Sequence, residues 1–463
     1  MITIQFLGAA QTVTGSKYVL DINGFRVMVD CGLFQGLKEL RARNWQTLPL
    51  EPASIHCVLL THAHIDHTGY LPRLVRDGFQ GAIYSTRATA DLLKIMLPDS
   101  ARLQEEDAEY ANRKGYSKHA PALPLYTEQD ARRTLRHLNP VNYLEPLRIN
   151  KWLTARFIPA GHILGSSFIE LSVVEQGREP FKIVFSGDVG RYDEPILNDP
   201  SRVEEADYLL VESTYGNRVH DPVDAKQRLA EIINAAYEKK GKVVIPAFAV
   251  GRTQLLVYYL RELEDEHLIP VIPVAVDSPM GAEATRLYTR HHEEHDSDIE
   301  RLEKLQRNPL ATRNFSLVQG RAGSKALNDQ KGPMVIISAS GMATGGRVLH
   351  HLEQCLPDPN STVVFVGFQA QGTRGRRLQE GEKEIKIHGR FVPVNARIES
   401  IGSLSAHADS EELMRWLKGF KKPPITTFIV HGEMDGATAL QKRIETDLNW
   451  KTEVPEYMQV AVL

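Results

Sequence analysis

The stretch Thr61-His62-Ala63-His64-Ile65-Asp66-His67 places three histidines and one aspartate within six positions. The run before it, Cys57-Val58-Leu59-Leu60-Thr61, is continuously apolar, as in a short buried strand. After it, Leu71, Leu74 and Val75 recur at helical spacing. The cluster therefore belongs to a strand-to-helix turn, where side chains can converge on one point. Imidazole nitrogen and carboxylate oxygen are ligands that suit zinc, and the absence of cysteine favours an open catalytic site over a closed structural one.

A chain of 463 residues is too long for one ordinary core, so at least two domains are expected. The apolar fraction of 42% and charged fraction of 24% are those of a globular protein. With a formal net charge of −3, a nucleic-acid partner would have to be met by a local basic patch. Cys31, Cys57 and Cys355 show no redox or metal spacing and cannot all pair, which fits a reducing compartment. The first residues alternate like a strand and not like a signal peptide, and no apolar stretch is long enough to span a membrane. The expectation is a cytoplasmic protein without a membrane segment.

Along the chain, strands are predicted at 2–7, 17–22 and 25–30, with Asn23-Gly24 as a tight turn between the last two. The third strand runs into Asp30, a residue that ends strands as a turn former and that could also orient a ligand histidine from behind. Helices are predicted at 86–117 and 127–138. Strand 153–158 leads to Gly161-His162, strand 181–186 to Asp188, and strand 207–211 to Glu212. From about residue 215 helices and buried strands alternate: helix 222–239, strand 242–247, helix 251–264, strand 271–276, helix 279–294, strand 333–338, helix 345–355, strand 361–367. Such alternation implies a parallel sheet covered on both faces. Arg290-His291-His292-Glu293-Glu294-His295 is expected to be a solvated helix face. Residues 385–402 return to strand-like alternation, followed by Ser405-Ala406-His407-Ala408-Asp409 and by strand 425–430, which ends at His431. The expected organisation is a first domain of residues 1–214, an insertion at 215–384, and a completion of the first domain at 385–463.

These residues resemble the metallo-β-lactamase superfamily, and within it the β-CASP nucleases. His62-Ala63-His64-Ile65-Asp66-His67 resembles the HxHxDH signature of the superfamily. Asp30, His162 and Asp188 resemble its other metal-site motifs in order and strand-end context. Glu212 in Glu-Ser-Thr-Tyr-Gly, His407 in Ser-Ala-His-Ala-Asp and His431 in Val-His-Gly-Glu resemble the motifs A, B and C of the β-CASP branch. The resemblance implies an α/β fold, an αββα sandwich interrupted by an inserted β-CASP α/β domain. It implies two zinc ions, one held by His62, His64 and His162, the other by Asp66, His67 and His431, with Asp188 bridging. Asp66 and Asp188 thus serve the catalytic machinery directly, around a bridging hydroxide. His407 is implied as the general acid, held in its tautomer by Glu212, with Asp30 behind the ligands.

DNA-directed members carry an apolar residue at motif C, so His431 turns the expectation to single-stranded RNA, with cleavage leaving 5′-phosphate and 3′-hydroxyl ends. No appended RNA-binding domain is recognised, so the nuclease body itself is expected to meet the RNA. Two segments are candidates for phosphate contact. Ser340-Gly341 ends a strand ahead of Gly345-Gly346-Arg347, and Arg374, Arg376 and Arg377 follow a glycine-rich stretch expected to be a flexible loop. Arg252, in the phrase Pro-Ala-Phe-Ala-Val-Gly-Arg, is a further candidate. A homodimer is compatible with these expectations. Two other function classes compete: a non-catalytic RNA-processing scaffold, and a small-ester, thioester or lactam hydrolase using the same metals.

Overall fold

A computed structural model describes all residues except 116–118, 176, 178, 221–223, 306, 368, 370 and 371, and the side chain of Glu303. The chain divides into two units, residues 1–219 with 407–463, and residues 220–406.

The first unit is built on two seven-stranded sheets. In one, the order is Val460–Val462, Ile2–Phe6, Tyr18–Ile22, Phe25–Val29, Ile55–Leu59, Ala82–Thr86, Leu138–Val141. In the other it is Thr452–Glu453, Thr426–Val430, Tyr208–Glu212, Phe181–Phe185, Ser167–Val173, Leu153–Pro159, Leu147–Arg148. The alternation of Ile2, Ile4 and Phe6 sends every second side chain inward. They meet Phe157, Ile169, Phe185, Leu210 and Phe428 of the opposite sheet in one buried cluster. The outer face of the second sheet is covered by helices Ser410–Leu417 and Met434–Leu448 through Leu413, Trp416, Leu440 and Ile444. Helices Leu71–Arg76, Arg87–Lys114 and Glu128–Thr134 pack beside the first sheet. This is the expected αββα sandwich.

Asn23 and Gly24, at φ 51° and 89°, form the expected hairpin turn. The expected end of the helix at 86–117 lies partly outside the described residues. The segment 127–138 departs from expectation: its helix stops at Thr134, and Leu138–Val141 pairs in parallel with Ala82–Thr86 as an edge strand.

The second unit has a six-stranded, wholly parallel sheet. Its order is Phe315–Leu317, Val274–Val276, Met334–Ser338, Lys242–Pro246, Thr362–Phe365, Arg397–Ser400. Helices Ala225–Glu238, Arg252–Asp265, Pro279–Tyr288, Arg321–Asp329 and Val348–Cys355 follow or precede these strands, as the βα alternation requires. The start of the helix expected at 222–239 falls on residues outside the description.

Two further expectations are corrected by the second unit. Residues 385–406 do not return to the first domain. Arg397–Ser400 pairs with Thr362–Phe365, and the hairpin Glu384–Ile387/Arg390–Pro393 buries Ile385, Ile387 and Val392 in the core of the second unit. Strand alternation says which face is buried but not which sheet is joined. The stretch 290–295 is not a solvated helix face. The helix ends at Tyr288, and His291, Glu294 and His295 are buried, with His295 Nε2 2.7 Å from the Tyr288 carbonyl that the helix end leaves open.

Candidate metal centre

Every predicted metal-site residue lies in the first unit, just past the C-terminal end of a strand. Phe25–Val29 delivers Asp30, Ile55–Leu59 the His62–His67 turn, Leu153–Pro159 His162, and Phe181–Phe185 Asp188. Tyr208–Glu212 ends on Glu212, and Thr426–Val430 delivers His431. The parallel pairing of Tyr208–Glu212 with both Phe181–Phe185 and Thr426–Val430 brings three of these ends to one sheet edge. The backbone packs very closely there. A Cβ on Gly32 would sit 1.5 Å from the Asp66 carbonyl oxygen. Gly187, at φ 51°, leaves no room for one against the Thr61 side chain.

His62, His64, His162 and Asp188 form one group of converging donor atoms, and Asp66, His67 and His431 another. His62 Nε2 lies 3.0 Å from His64 Nδ1, and His162 Nε2 lies 3.3 Å from the same atom. Asp188 stands between the groups with its two oxygens divided. Oδ2 is 3.3 Å from His62 Nε2 and 3.4 Å from His162 Nε2, while Oδ1 is 3.3 Å from His67 Nε2 and 3.4 Å from His431 Nδ1. In the second group His67 Nε2 is 3.1 Å from His431 Nε2, and His431 Nε2 is 3.5 Å from Asp66 Oδ2.

These residues fit bound cations. Zinc–nitrogen bonds of about 2.0–2.1 Å at tetrahedral angles separate neighbouring nitrogens by about 3.3–3.4 Å, close to the separations seen. Asp188 Oδ1 is buried and accepts no hydrogen bond, a costly position for a carboxylate oxygen unless a cation meets it. The protonation states of His62, His64 and His162 agree. Burial pushes His62 down to about 3 and His64 to about 4, the latter against the pull of Asp66 and Asp188, and burial also holds His162 well below its usual range. Their imidazoles are therefore neutral, with lone pairs to donate. Burial would raise the Asp188 carboxyl, but its neighbours, His431 and His67 foremost, hold it well below the usual range, so it is ionised.

Behind this ring, Asp30 accepts from the Thr61 amide at 2.8 Å and the Thr61 hydroxyl at 2.9 Å, and faces His67 Nδ1 at 2.7 Å. That contact turns His67 Nε2 toward Asp188. Burial opposes the charge on His67, but Asp188 and Asp30 outweigh it and raise its pKa. Glu212 is fully buried. Its Oε1 accepts from the Val189 amide at 2.7 Å and lies 3.3 Å from His407 Nδ1. The ring of His407 lies 4.5 Å from that of His162, and its side chain keeps 21% exposure. Burial works to lower the His407 pKa, but Glu212, Asp188 and Asp66 raise it to about 9.

Two supporting residues escaped the sequence reading. Thr61 Oγ1 lies 3.0 Å from His62 Nδ1 as well as on Asp30, and Thr214 Oγ1 lies 3.2 Å from His431 Nδ1. Both are threonines beside a recognised motif, which is the only signal they carry.

The candidate phosphate contacts lie in the second unit. Arg374, Arg376 and Arg377 are not on a flexible loop: they belong to helix Arg374–Gln379, capped by Thr373. The preceding residues 368, 370 and 371 lie outside the description. Arg374 donates to the carbonyls of Lys386 and Thr344, Arg376 to Glu380, and Arg377 to both oxygens of Glu382. Arg347 is anchored on Asp277 at 2.7 Å and on the carbonyls of Val318 and Gln319. Ser340 Oγ is 2.9 Å from Thr344 Oγ1, Gly341 receives Gln369 on its carbonyl, and Arg252 is buried at the first turn of its helix.

Comparison with known proteins agrees with this architecture. Residues 12–313 match the metallo-β-lactamase superfamily, residues 253–378 the β-CASP domain, and residues 392–455 the Zn-dependent metallo-hydrolase RNA specificity domain. The chain is 39% identical to Ribonuclease TTHA0252 of Thermus thermophilus, over 94% of each chain. It is 31% identical to the transcription termination factor FttA of Methanocaldococcus jannaschii, over 93% of this chain and 67% of that one. Its identity to FttA of Methanosarcina mazei is 32%, over 96% and 70%. A crystal structure of a protein of unknown function from Enterococcus faecalis shares the fold at a TM-score of 0.54, with 14% identity and full coverage of both chains. No described helix is long and apolar enough to cross a membrane. The chain belongs to the β-CASP ribonuclease family of the metallo-β-lactamase superfamily.

Proposed function

We propose that the chain is a two-zinc ribonuclease that hydrolyses phosphodiester bonds of single-stranded RNA, leaving 5′-phosphate and 3′-hydroxyl ends. The observation that carries this reading is the division of Asp188, one oxygen toward His62 and His162, the other toward His67 and His431. His62, His64 and His162 would hold one ion, Asp66, His67 and His431 the other, with Asp188 shared. When bound, the pair supplies Lewis acidity to activate water and offset the charge on the scissile phosphate.

The remaining roles fall to side chains. Asp30 fixes the ring of His67 through Nδ1. Glu212 occupies the Nδ1 side of His407 and keeps it protonated at neutral pH. His407 then donates a proton to the departing 3′-oxygen, as a general acid. This path does not use the ribose 2′-hydroxyl as nucleophile. The scaffold reading and the small-ester reading each leave the Glu212–His407 pair without a task. The names of the archaeal relatives add transcription termination as a setting for such cleavage.

The test is end-group analysis of products from linear and circular RNA, with a 2′-deoxy substitution at the scissile position. The expected result is 5′-phosphate ends and only modest slowing by the deoxy substitution. Cyclic 2′,3′-phosphate ends, or full activity after exhaustive chelation, would overturn it.

A further inference from the structure

In the second unit, helix Val348–Cys355 and the hairpin Glu384–Ile387/Arg390–Pro393 bring His350, Glu353 and His388 together, with one donor atom from each residue within 4.8 Å of the others. His350 and Glu353 are three residues apart on the helix, so they share a face. His351, between them, points elsewhere: its Nε2 lies 2.7 Å from buried Asp277. The ring of His388 stacks on that of His350 at 4.4 Å and 29°, and its Nδ1 lies 3.2 Å from Glu353 Oε2.

The position of His388 is unusual. It has φ 47° and is followed by Gly389 at φ 84°, the backbone of a two-residue turn that favours asparagine or glycine at its first position. The turn places the imidazole over the ring of His350, with Nδ1 within reach of the Glu353 carboxylate. The supports are rigid, because Ile385, Ile387 and Val392 of the hairpin share a buried cluster with Leu349 and Leu352 of the helix. Arg374 ties the hairpin further through the Lys386 carbonyl.

We propose that His350, Glu353 and His388 form a separate site for one divalent transition-metal ion, of the zinc, nickel or copper class, which clips the hairpin to the helix. Two imidazoles and one carboxylate are the donor set for such ions, whereas calcium and magnesium require mostly oxygen. His350 and His388 are exposed, so water completes the coordination. The site shares no residue with the His62–His431 centre.

The test compares wild type with His388→Asn, which suits the same turn, and with Glu353→Gln. Each protein is loaded with zinc, freed of loose metal and dialysed against graded Ni²⁺ or Cu²⁺. Wild type should take up one ion more per chain than either variant, with the variants about 100-fold weaker at that step, at least the loss seen when supporting residues of metal sites are removed. Cu²⁺ bound at that step should show two-nitrogen coordination by electron paramagnetic resonance. Ni²⁺ should raise the unfolding temperature of wild type beyond that of the variants. Equal uptake and affinity in all three proteins would overturn the proposal. Should His388→Asn fail to fold, Glu353→Gln alone decides, since it replaces a partly exposed carboxylate by an isostere. The count does not depend on RNA cleavage, so it can fail while the ribonuclease reading stands.

Discussion

Asp188 and Asp277 both follow a buried strand, Phe181–Phe185 in one unit and Val274–Val276 in the other, and both are almost or fully inaccessible. Around Asp277 every interaction is closed within the protein. Oδ1 receives Arg347 at 2.7 Å, and Oδ2 receives Ser324 at 2.5 Å and faces His351 Nε2 at 2.7 Å. Burial alone would raise this carboxyl, but His351, Ser324 and Arg347 hold it below the usual range. Around Asp188 the two histidines facing Oδ2, His62 and His162, have neutral rings, and Oδ1 is buried without a hydrogen bond. The same strand-end device is a finished brace in one unit and an open socket in the other. A buried carboxylate is a structural element when the chain itself satisfies it, and a site when the chain leaves it for a cation.

The largest effect should come from breaking the socket. Asp188→Ala should lose metal from both groups and bring RNA cleavage down to the uncatalysed background, because it removes the one carboxylate that both share. Elemental analysis and a cleavage assay check this, and an alanine variant that keeps two zinc ions and its activity would break the comparison. Chelation should abolish wild-type activity, and zinc should restore it.

Next in size is His407→Ala, which should keep its zinc and lose about 10²–10⁴-fold in rate, the usual contribution of a general acid. The pH dependence has a definite sign. A proton donor works while protonated, and the pKa of His407 is raised, to about 9 with no metal bound, so activity should fall on the alkaline side, at a pH below that value once zinc is bound. Zinc on Asp188 and Asp66 withdraws their share of this shift, which leaves Glu212 as the principal support. Glu212→Gln should therefore move the alkaline limb to lower pH. A limb that stays in place would remove Glu212 from this role.

Breaking the brace should cost stability and not chemistry. Asp277→Ala leaves Arg347 without its carboxylate and should destabilise the second unit by about 3–5 kcal/mol, as for a buried pair that loses one partner. Because the folded-state pKa of Asp277 is lowered, its contribution is present in full at neutral pH and is lost only as pH falls through that depressed value. Urea unfolding measures the change, and zinc content should be unaffected. A loss below about 1 kcal/mol would place Asp277 among ordinary surface pairs.

The contrast also explains what could be foreseen from the chain alone. His62 to His67, His162, Asp188, Glu212 and His431 were legible because their residue types are rare at the ends of apolar strands, and each strand announced itself by composition. Thr61 and Thr214 were not, because a supporting hydroxyl obeys no spacing rule and is set by the three-dimensional approach of Asp30 and His431. That Arg397–Ser400 joins the second unit is not legible, because alternation records burial and not pairing partner. The burial of His291 and His295 is not legible in the chain alone, because polarity is visible in a sequence while burial is not. Asp277 was not singled out, although it too ends an apolar strand, since its partners Ser324, Arg347 and His351 lie 47 to 74 positions away.

The smallest expected effect concerns the arginines of helix Arg374–Gln379, and it sharpens the same distinction between closed and open charges. The guanidinium of Arg374 is used by backbone carbonyls, which bind it within the fold. Arg377 is held by both oxygens of Glu382 at 2.5–2.6 Å, a fork geometry that an RNA phosphate would have to displace. Arg376 faces Glu380 one helical turn away, with both side chains about half exposed. An exposed pair at that spacing is worth only about 0.3–0.5 kcal/mol, so a phosphate can compete for it. Arg376→Ala should therefore flatten the salt dependence of RNA affinity by about 0.7 in log–log slope, the value for one phosphate contact to a single strand. Sequence preference should not change, because phosphate contacts carry none. Arg374→Ala should leave the slope alone and lower stability instead. The measurement is RNA affinity over a salt series for each single variant. A slope change confined to Arg374 would reverse the ranking, showing that charges engaged within the fold are not thereby withheld from RNA.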